Sequence, residues 1–257
     1  MRRYAQILFK NCRLSDARHI ALARLIGRIE NRTEDERLPE ASFRVAEVSN
    51  NRRDGSVMDQ MDLHTLNLLS NMLWHSDSTF LPVPALTNIL VGRVVTSSGR
   101  ATELALTRTS WRKMPEKLAA KFRDRAVWRY FAISRVKVSA TLAKLPLFHN
   151  WPAQNWKLGL TNPLNRTESL YIASHAHAVE GYSEEESQSL LDELTAFCTQ
   201  DQFIYKHLWQ KGDVLIWDQR AVMHRETPLS WHVSRKPTSI CVSLGAKDGL
   251  HDMRPRE

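Results

Sequence analysis

The stretch Leu73-Trp74-His75-Ser76-Asp77-Ser78-Thr79-Phe80 sets an imidazole and a carboxylate two residues apart in an apolar, β-favouring context. Along an extended chain, residues i and i+2 point to the same face, so His75 and Asp77 can reach one ion together. A third ligand is needed, and the candidate is His224, one short connection after the strand-like run Asp213-Val214-Leu215-Ile216-Trp217. Two histidines and one carboxylate on one face of a metal leave its other positions open, the arrangement used by non-haem Fe(II) oxygenases. In a chain with 10 His the His-x-Asp spacing is a weak signal by itself, and an ordinary hydrogen-bonded pair is the competing reading. The weight rests on the surrounding chain.

Asp77 and His224 are 224 − 77 = 147 residues apart, so only a folded sheet can join them. Ile7-Leu8-Phe9 reads as a strand, and Ser15 as the N-cap of a helix with Leu22, Leu25, Ile26 and Ile29 on one side. Residues 31–62 are polar, with a turn at 51–55, and read as a surface excursion broken by a short strand, Phe43-Arg44-Val45. Pro82 and Pro84 bracket the exit from the metal strand; strands follow over 87–95 and 101–105. A helix is expected within 110–125, starting at Pro115. Residues 131–168 carry no clean period, and a segment of that kind often covers an active site. Leu170-Tyr171-Ile172 returns to strand, and Ser183-Glu184-Glu185-Glu186 is a capping box opening a helix through Phe197. Strands are then expected over 203–208, 213–217 and 238–244. Many short strands with a few helices fit a double-sheet jelly roll, whose mouth commonly holds a metal; a mixed α+β domain without metal is the alternative.

Composition sets the class. At 257 residues, with 42% hydrophobic and 25% charged residues, the chain is expected to form one soluble domain over 1–257 with a full core. No apolar run approaches a membrane span. Three widely separated cysteines, Cys12, Cys198 and Cys241, without a CxxC, point to a reducing, cytoplasmic compartment. The net charge of +8 is spread along the chain and reads as a solvated surface, with anionic partners as the alternative. The basic, acid-poor residues 1–29 mimic a transit segment, but their strand and helix signals favour a folded start.

Taken in order, these pieces resemble the taurine dioxygenase and 2,4-D dioxygenase family of Fe(II)/2-oxoglutarate-dependent oxygenases, from about Ala5 to Leu244. Trp74-His75-Ser76-Asp77-Ser78-Thr79-Phe80 looks like the family's Trp-His-Ser/Thr-Asp-x-x-Phe. Thr102 before Glu103 matches its Gly-Gly-x-Thr-Glu, and the run from Gly212 to His224 is close to its Gly-Asp-x-x-x-Trp-Asp-Asn-Arg-x-x-x-His. Arg235 falls eleven residues after His224, where the family keeps its co-substrate arginine.

The resemblance implies a mainly β fold, a double-stranded β-helix (jelly roll) with flanking helices, N-terminally short for its family. It implies that His75, Asp77 and His224 hold Fe(II), and that Thr102, Arg235 and Trp217 bind 2-oxoglutarate, with O2 as the other co-substrate. The far carboxylate of 2-oxoglutarate suits the planar fork of an arginine, and a threonine hydroxyl completes such a cradle. Asn71 and Phe80 are similar to substrate-lining positions, with a turn Asn and a core Phe as their plain readings; Trp217 reads equally as core. Thr102 as a plain strand threonine and Arg235 as a surface arginine are the corresponding bland readings. His175 and His177 are read as structural.

Two departures bear on substrate. The family's second arginine, four residues after the co-substrate one, is Ser239 here, and its Arg-Thr-His-Pro is Leu160-Thr161-Asn162-Pro163. Both remove polar or cationic partners, so a substrate less charged than taurine or 2,4-D is expected. The leading expectation is therefore a dioxygenase hydroxylating a small organic molecule, with release of succinate and CO2. The alternatives are a degenerate relative kept as a binding protein and an oxidative demethylase of nucleic acid, the latter needing a basic groove with stacking aromatics. No membrane partner is expected, and homo-oligomerisation is left open.

Overall fold

A computed structural model of the chain describes residues 3–30, 46–47, 59, 61–95, 101–228 and 236–255. Strand β1 (Gln6–Phe9) and helix α1 (Asp16–Ile26) come first; strand β2 (Ala46–Glu47) and helix α2 (Leu63–Leu69) lead to the His75 segment. Strands β3 (Ala85–Val94) and β4 (Ala101–Ala105) follow, then helices α3 (Thr107–Lys113) and α4 (Glu116–Ala119) and strand β5 (Ala126–Arg129). Helices α5 (Phe131–Val136) and α6 (Ala140–Ala143) precede strands β6 (Gln154–Lys157), β7 (Gly159–Thr161), β8 (Glu168–Leu170) and β9 (Ala176–Val179). Helix α7 (Glu184–Cys198) and strands β10 (Ile204–Leu208), β11 (Val214–Asp218), β12 (Met223–Glu226) and β13 (Lys236–Ser243) complete the order.

The strands form a large antiparallel sheet, β1-β11-β3-β13-β2, and a smaller one, β10-β4-β12, with two minor sheets, β6-β5-β9 and β7-β8. Side chains alternate faces along a strand, and the register of β11, β3 and β13 sorts them into rows. The row Ile216-Ile89-Ile240 lies on the outer face, where it packs with Ala23 and Ile20 of α1. The flanking rows, Trp217-Asn88-Cys241 and Leu215-Leu90-Ser239, belong to the inner face. There Leu90, Leu215 and Trp217 cluster with Leu104 of β4, which joins the two sheets across a shared interior. This is the layered, mainly β arrangement expected of a double-stranded β-helix, with helices outside it; the sheets do not close into a barrel.

Local signals explain the helices. Ser15 accepts from the Arg18 N–H as the N-cap of α1, and Ser183 and Glu186 form the reciprocal capping box of α7. The apolar side of α1 differs from its expected one. Leu25 is 85% exposed, Ile29 lies beyond the helix in an isolated bridge to Val242, and Leu22 and Ile26 are joined at the sheet by Ile20 and Ala23. Eleven residues and the Gly27 stop leave the helix too short to carry that stripe to Ile29. The helix expected from Pro115 begins earlier, at Thr107, and Pro115 instead ends that piece and caps a single turn, because its ring disfavours helical backbone at Met114. The strand expected over 170–172 stops at Leu170 in β8. Phe43-Arg44-Val45 lies outside the described residues, next to β2.

His19 illustrates how burial couples to pH. Its Nε2 sits 3.0 Å from the Ile89 carbonyl, under α1 and out of solvent. Burial, aided by the charge of Arg93 and opposed by the bond to Ile89, lowers its pKa from 6.5 to about 4. As pH falls below 6.5 the unfolded chain takes up a proton that the folded chain refuses, so this contribution to stability is complete above 6.5 and is lost on acidification toward 4. Denaturant unfolding of wild type and His19→Gln at pH 7 and pH 5 should differ in their pH-induced loss by about 2 kcal/mol, wild type losing more. Equal losses would remove His19 as a source of acid sensitivity.

Candidate metal centre

The segment carrying His75 is not the strand expected of it. His75 makes a single antiparallel bridge with His224, its N–H reaching the His224 carbonyl at 3.0 Å and the His224 N–H returning to the His75 carbonyl at 2.7 Å. The chain then turns over residues 77–80, with Ser78 at φ 59° in the left-handed region, tolerated here because its Oγ is tied to Glu30 at 2.7 Å. The i, i+2 argument thus holds for one extended step only. That step suffices.

His224 stands on β12 opposite Leu104 of β4, so both face the interior between the sheets. The bridge brings its ring against that of His75, tilted by 45° with centroids 4.1 Å apart. Asp77 closes the group: its Oδ1 lies 3.8 Å from His75 Nε2 and its Oδ2 3.6 Å from His224 Nε2. One donor atom from each of the three lies within 4.8 Å of the other two, the only such His/Cys/Asp/Glu group among the described residues. His75 Nδ1 is 2.7 Å from the Leu73 carbonyl; as a carbonyl only accepts, Nδ1 carries the proton and Nε2 keeps its lone pair for a ligand bond. Burial, with the charge of His75, pushes the His224 imidazole down to about 3, so it is neutral and ligand-competent at pH 7. Two imidazoles and one carboxylate of this spacing fit a divalent transition metal.

Around the triad, Trp217 tilts over His224 at 4.6 Å between centroids, and its buried indole N–H has no hydrogen-bond partner among the described residues. Thr102 shares the inward face of β4 with Leu104, and its Oγ1 accepts from the Trp209 indole at 2.9 Å. That bond occupies an acceptor side and leaves the hydroxyl proton to donate elsewhere. Phe80 is buried and stacked on Phe131 at 3.6 Å, both lying edge-on to His175 at 4.9 and 5.9 Å. Burial and the positive charge of Arg135 hold His175 well below the ordinary histidine range, and His75 and Asp77 also act on it, so this histidine stands beside the triad rather than apart from it. Asn71 lies in a single turn, Ser70–Met72, that delivers the chain to His75. Arg235 is outside the described residues. Asn162, one of the departures, turns the β7–β8 hairpin, accepting from Leu164 N–H at 2.9 Å.

Sequence reasoning missed Asn88 and Gln219, whose side chains both reach Asp77 Oδ2, at 2.8 and 2.5 Å. The signal for Asn88 was present: a polar amide at an inward position within the apolar run of β3 has to have a partner.

A model of the taurine catabolism dioxygenase TauD, TfdA family matches residues 1–237. The chain belongs to this family. It is 32% identical over 222 residues to the alpha-ketoglutarate-dependent 2,4-dichlorophenoxyacetate dioxygenase of Cupriavidus pinatubonensis, covering 85% of this chain and 77% of that protein. It is likewise 32% identical over 241 residues to the (S)-phenoxypropionate/alpha-ketoglutarate-dioxygenase of Sphingobium herbicidovorans, covering 91% and 79%. Among solved structures, AAD-2 in complex with Mn(II) and N-oxalylglycine superposes with a TM-score of 0.84 at 30% identity, covering 93% of this chain and 83% of that one. Its likeness extends over both sheets, so the family fold is the one described above.

Of the three donors, Asp77 is the one that brings charge. Asp77→Ala should weaken Mn(II) binding by isothermal titration at least tenfold, a loss of about 1.4 kcal/mol or more. Unchanged affinity would remove this triad as the metal centre.

Proposed function

We propose that this chain is an Fe(II)- and 2-oxoglutarate-dependent dioxygenase that hydroxylates a small organic substrate, releasing succinate and CO2. The observation that carries the reading is the buried His75–Asp77–His224 group, held by a backbone bridge in the interior between two sheets. When bound, Fe(II) with 2-oxoglutarate and O2 supplies the oxidising chemistry; the protein positions and shields it.

In this reading His75 and His224 would offer Nε2 lone pairs and Asp77 a carboxylate oxygen to hold Fe(II). The Thr102 hydroxyl, which accepts from Trp209, would donate to a 2-oxoglutarate carboxylate, and Arg235 would pair with the far carboxylate. Trp217, whose ring tilts over His224 and whose buried indole N–H has no partner among the described residues, would wall the co-substrate space. Phe80, backed by Phe131, offers a flat apolar wall for the substrate, and Asn71 a polar rim. The relatives named above act on phenoxy acids. Here the Ser239 hydroxyl donates to Asn88 Oδ1 at 2.8 Å, so this position supplies no cation, which favours a substrate without a carboxylate or sulfonate at that wall. Three free cysteines fit a reducing, cytoplasmic setting.

Anaerobic titration of the metal-free protein with Fe(II) and then 2-oxoglutarate should produce the weak visible charge-transfer band of the chelate. Arg235→Ala should need at least about tenfold more 2-oxoglutarate for the same band, the loss of a charge-assisted pair of about 1.5 kcal/mol or more. A folded wild-type protein that gives no band would exclude the oxygenase reading.

A further inference from the structure

Asp77 is held more firmly than a metal-binding carboxylate on a turn has to be. Gln219 grips it at two points: its Oε1 accepts from the Asp77 backbone N–H at 3.1 Å and its Nε2 donates to Asp77 Oδ2 at 2.5 Å. The orientation of that amide is forced, because a backbone N–H can only donate and must meet the oxygen, which leaves the NH2 to face the carboxylate. Gln219 itself has no solvent exposure, and its own N–H is fixed to the Leu86 carbonyl at 2.9 Å. From the other side Asn88 Nδ2 donates to the same Oδ2 at 2.8 Å, and its Oδ1 is occupied by the Ser239 hydroxyl at 2.8 Å. The Cys241 thiol completes the contacts at 3.8 Å. An amide from strand β3 and one from the β11–β12 link thus converge on one oxygen, so the carboxylate cannot turn about its Cβ–Cγ bond without breaking both bonds.

We infer that Gln219 and Asn88, the latter steadied by Ser239, are positioning residues that lock the Asp77 carboxylate in the rotation needed to hold the metal with His75 and His224. The inference rests on the metal reading proposed above and adds to it the groups that set the carboxylate. Gln219 acts from the link between β11 and β12, Asn88 from β3 and Ser239 from β13, so the lock draws on three parts of the inner wall. Each bond also lowers the basicity of Oδ2, which makes Oδ1 the better donor toward a metal.

The test is Mn(II) binding to the metal-free full chain, followed by isothermal titration and by the Mn(II) electron paramagnetic resonance signal, alongside the melting temperature without metal. Gln219→Glu and Asn88→Asp keep shape but replace an N–H donor by an oxygen, and each should weaken Mn(II) binding about 10- to 100-fold. Gln219→Asn, which keeps the amide on a shorter stem, should fall between wild type and Gln219→Glu. A role confined to packing would lower the melting temperature and leave affinity within twofold, and that result overturns the inference. Should the two acidic variants fail to fold, Ser239→Ala decides: a threefold or greater weakening supports the lock, and no change overturns it. Wild type that binds no Mn(II) would fail the metal reading itself and the lock with it.

Discussion

The pair of backbone hydrogen bonds between His75 and His224 is the constraint on which the rest of the site depends. A bridge of two bonds fixes the Cα positions of both residues to within the tolerance of an antiparallel pair, so the two rings meet with centroids 4.1 Å apart. Each bond contributes only about 1 kcal/mol net. Their geometric effect is larger than their energy, because they register residue 75 against a strand 149 positions later, 224 − 75, and every other donor at the site is placed relative to that register.

The inner face of the large sheet divides along its strands. Toward one end, Leu90 and Leu215 meet Leu104 in an apolar cluster; toward the other, Asn88 and Cys241 approach Asp77. A buried amide costs stability unless both of its ends are bonded. Asn88 is bonded at both ends, to Ser239 and to Asp77, and Gln219 likewise through its own oxygen and nitrogen. On this wall the two buried amides stand where a carboxylate needs partners. The buried pair beside them, Asp218 with Arg220 at 2.8 Å and Arg108 at 3.8 Å, follows the same rule at the base of the β11–β12 link that carries Gln219.

Much of the strand order was legible because strands in a two-layer fold are short, bounded by turn residues and alternating, and β3, β4, β11 and β13 obey that pattern. The triad was legible because its motif is local on one side and closes a strand on the other. What could not be read was whatever depends on long-range register. Leu25 has the right spacing for the core face of α1 and is exposed, since the angle at which the helix meets the sheet is set by Ile89 and Ile240, not by the helix. His75 sits in a β-favouring run yet forms a single bridge, because Asp77 has to turn back toward Gln219. Ser239 read as the loss of an arginine; only the fold gives its hydroxyl a task, at Asn88. His175 read as structural, while the fold sets it against Phe80 beside the triad.

Charge explains why such a centre is stable before and after loading. With His224 neutral at pH 7 and the His75 Nδ1 proton given to the Leu73 carbonyl, Asp77 brings the only negative charge of the three ligands. In the unloaded protein the two amide donors spread that charge over hydrogen bonds. A divalent cation then turns the group from one negative charge to one positive. An interior of low polarity strengthens that remaining charge for anything facing it, and an anionic co-substrate is the partner it selects. Replacing the carboxylate by a third neutral ligand would leave the full charge of a divalent ion in the same apolar interior, so the identity of residue 77 bears on electrostatics as well as on ligand geometry.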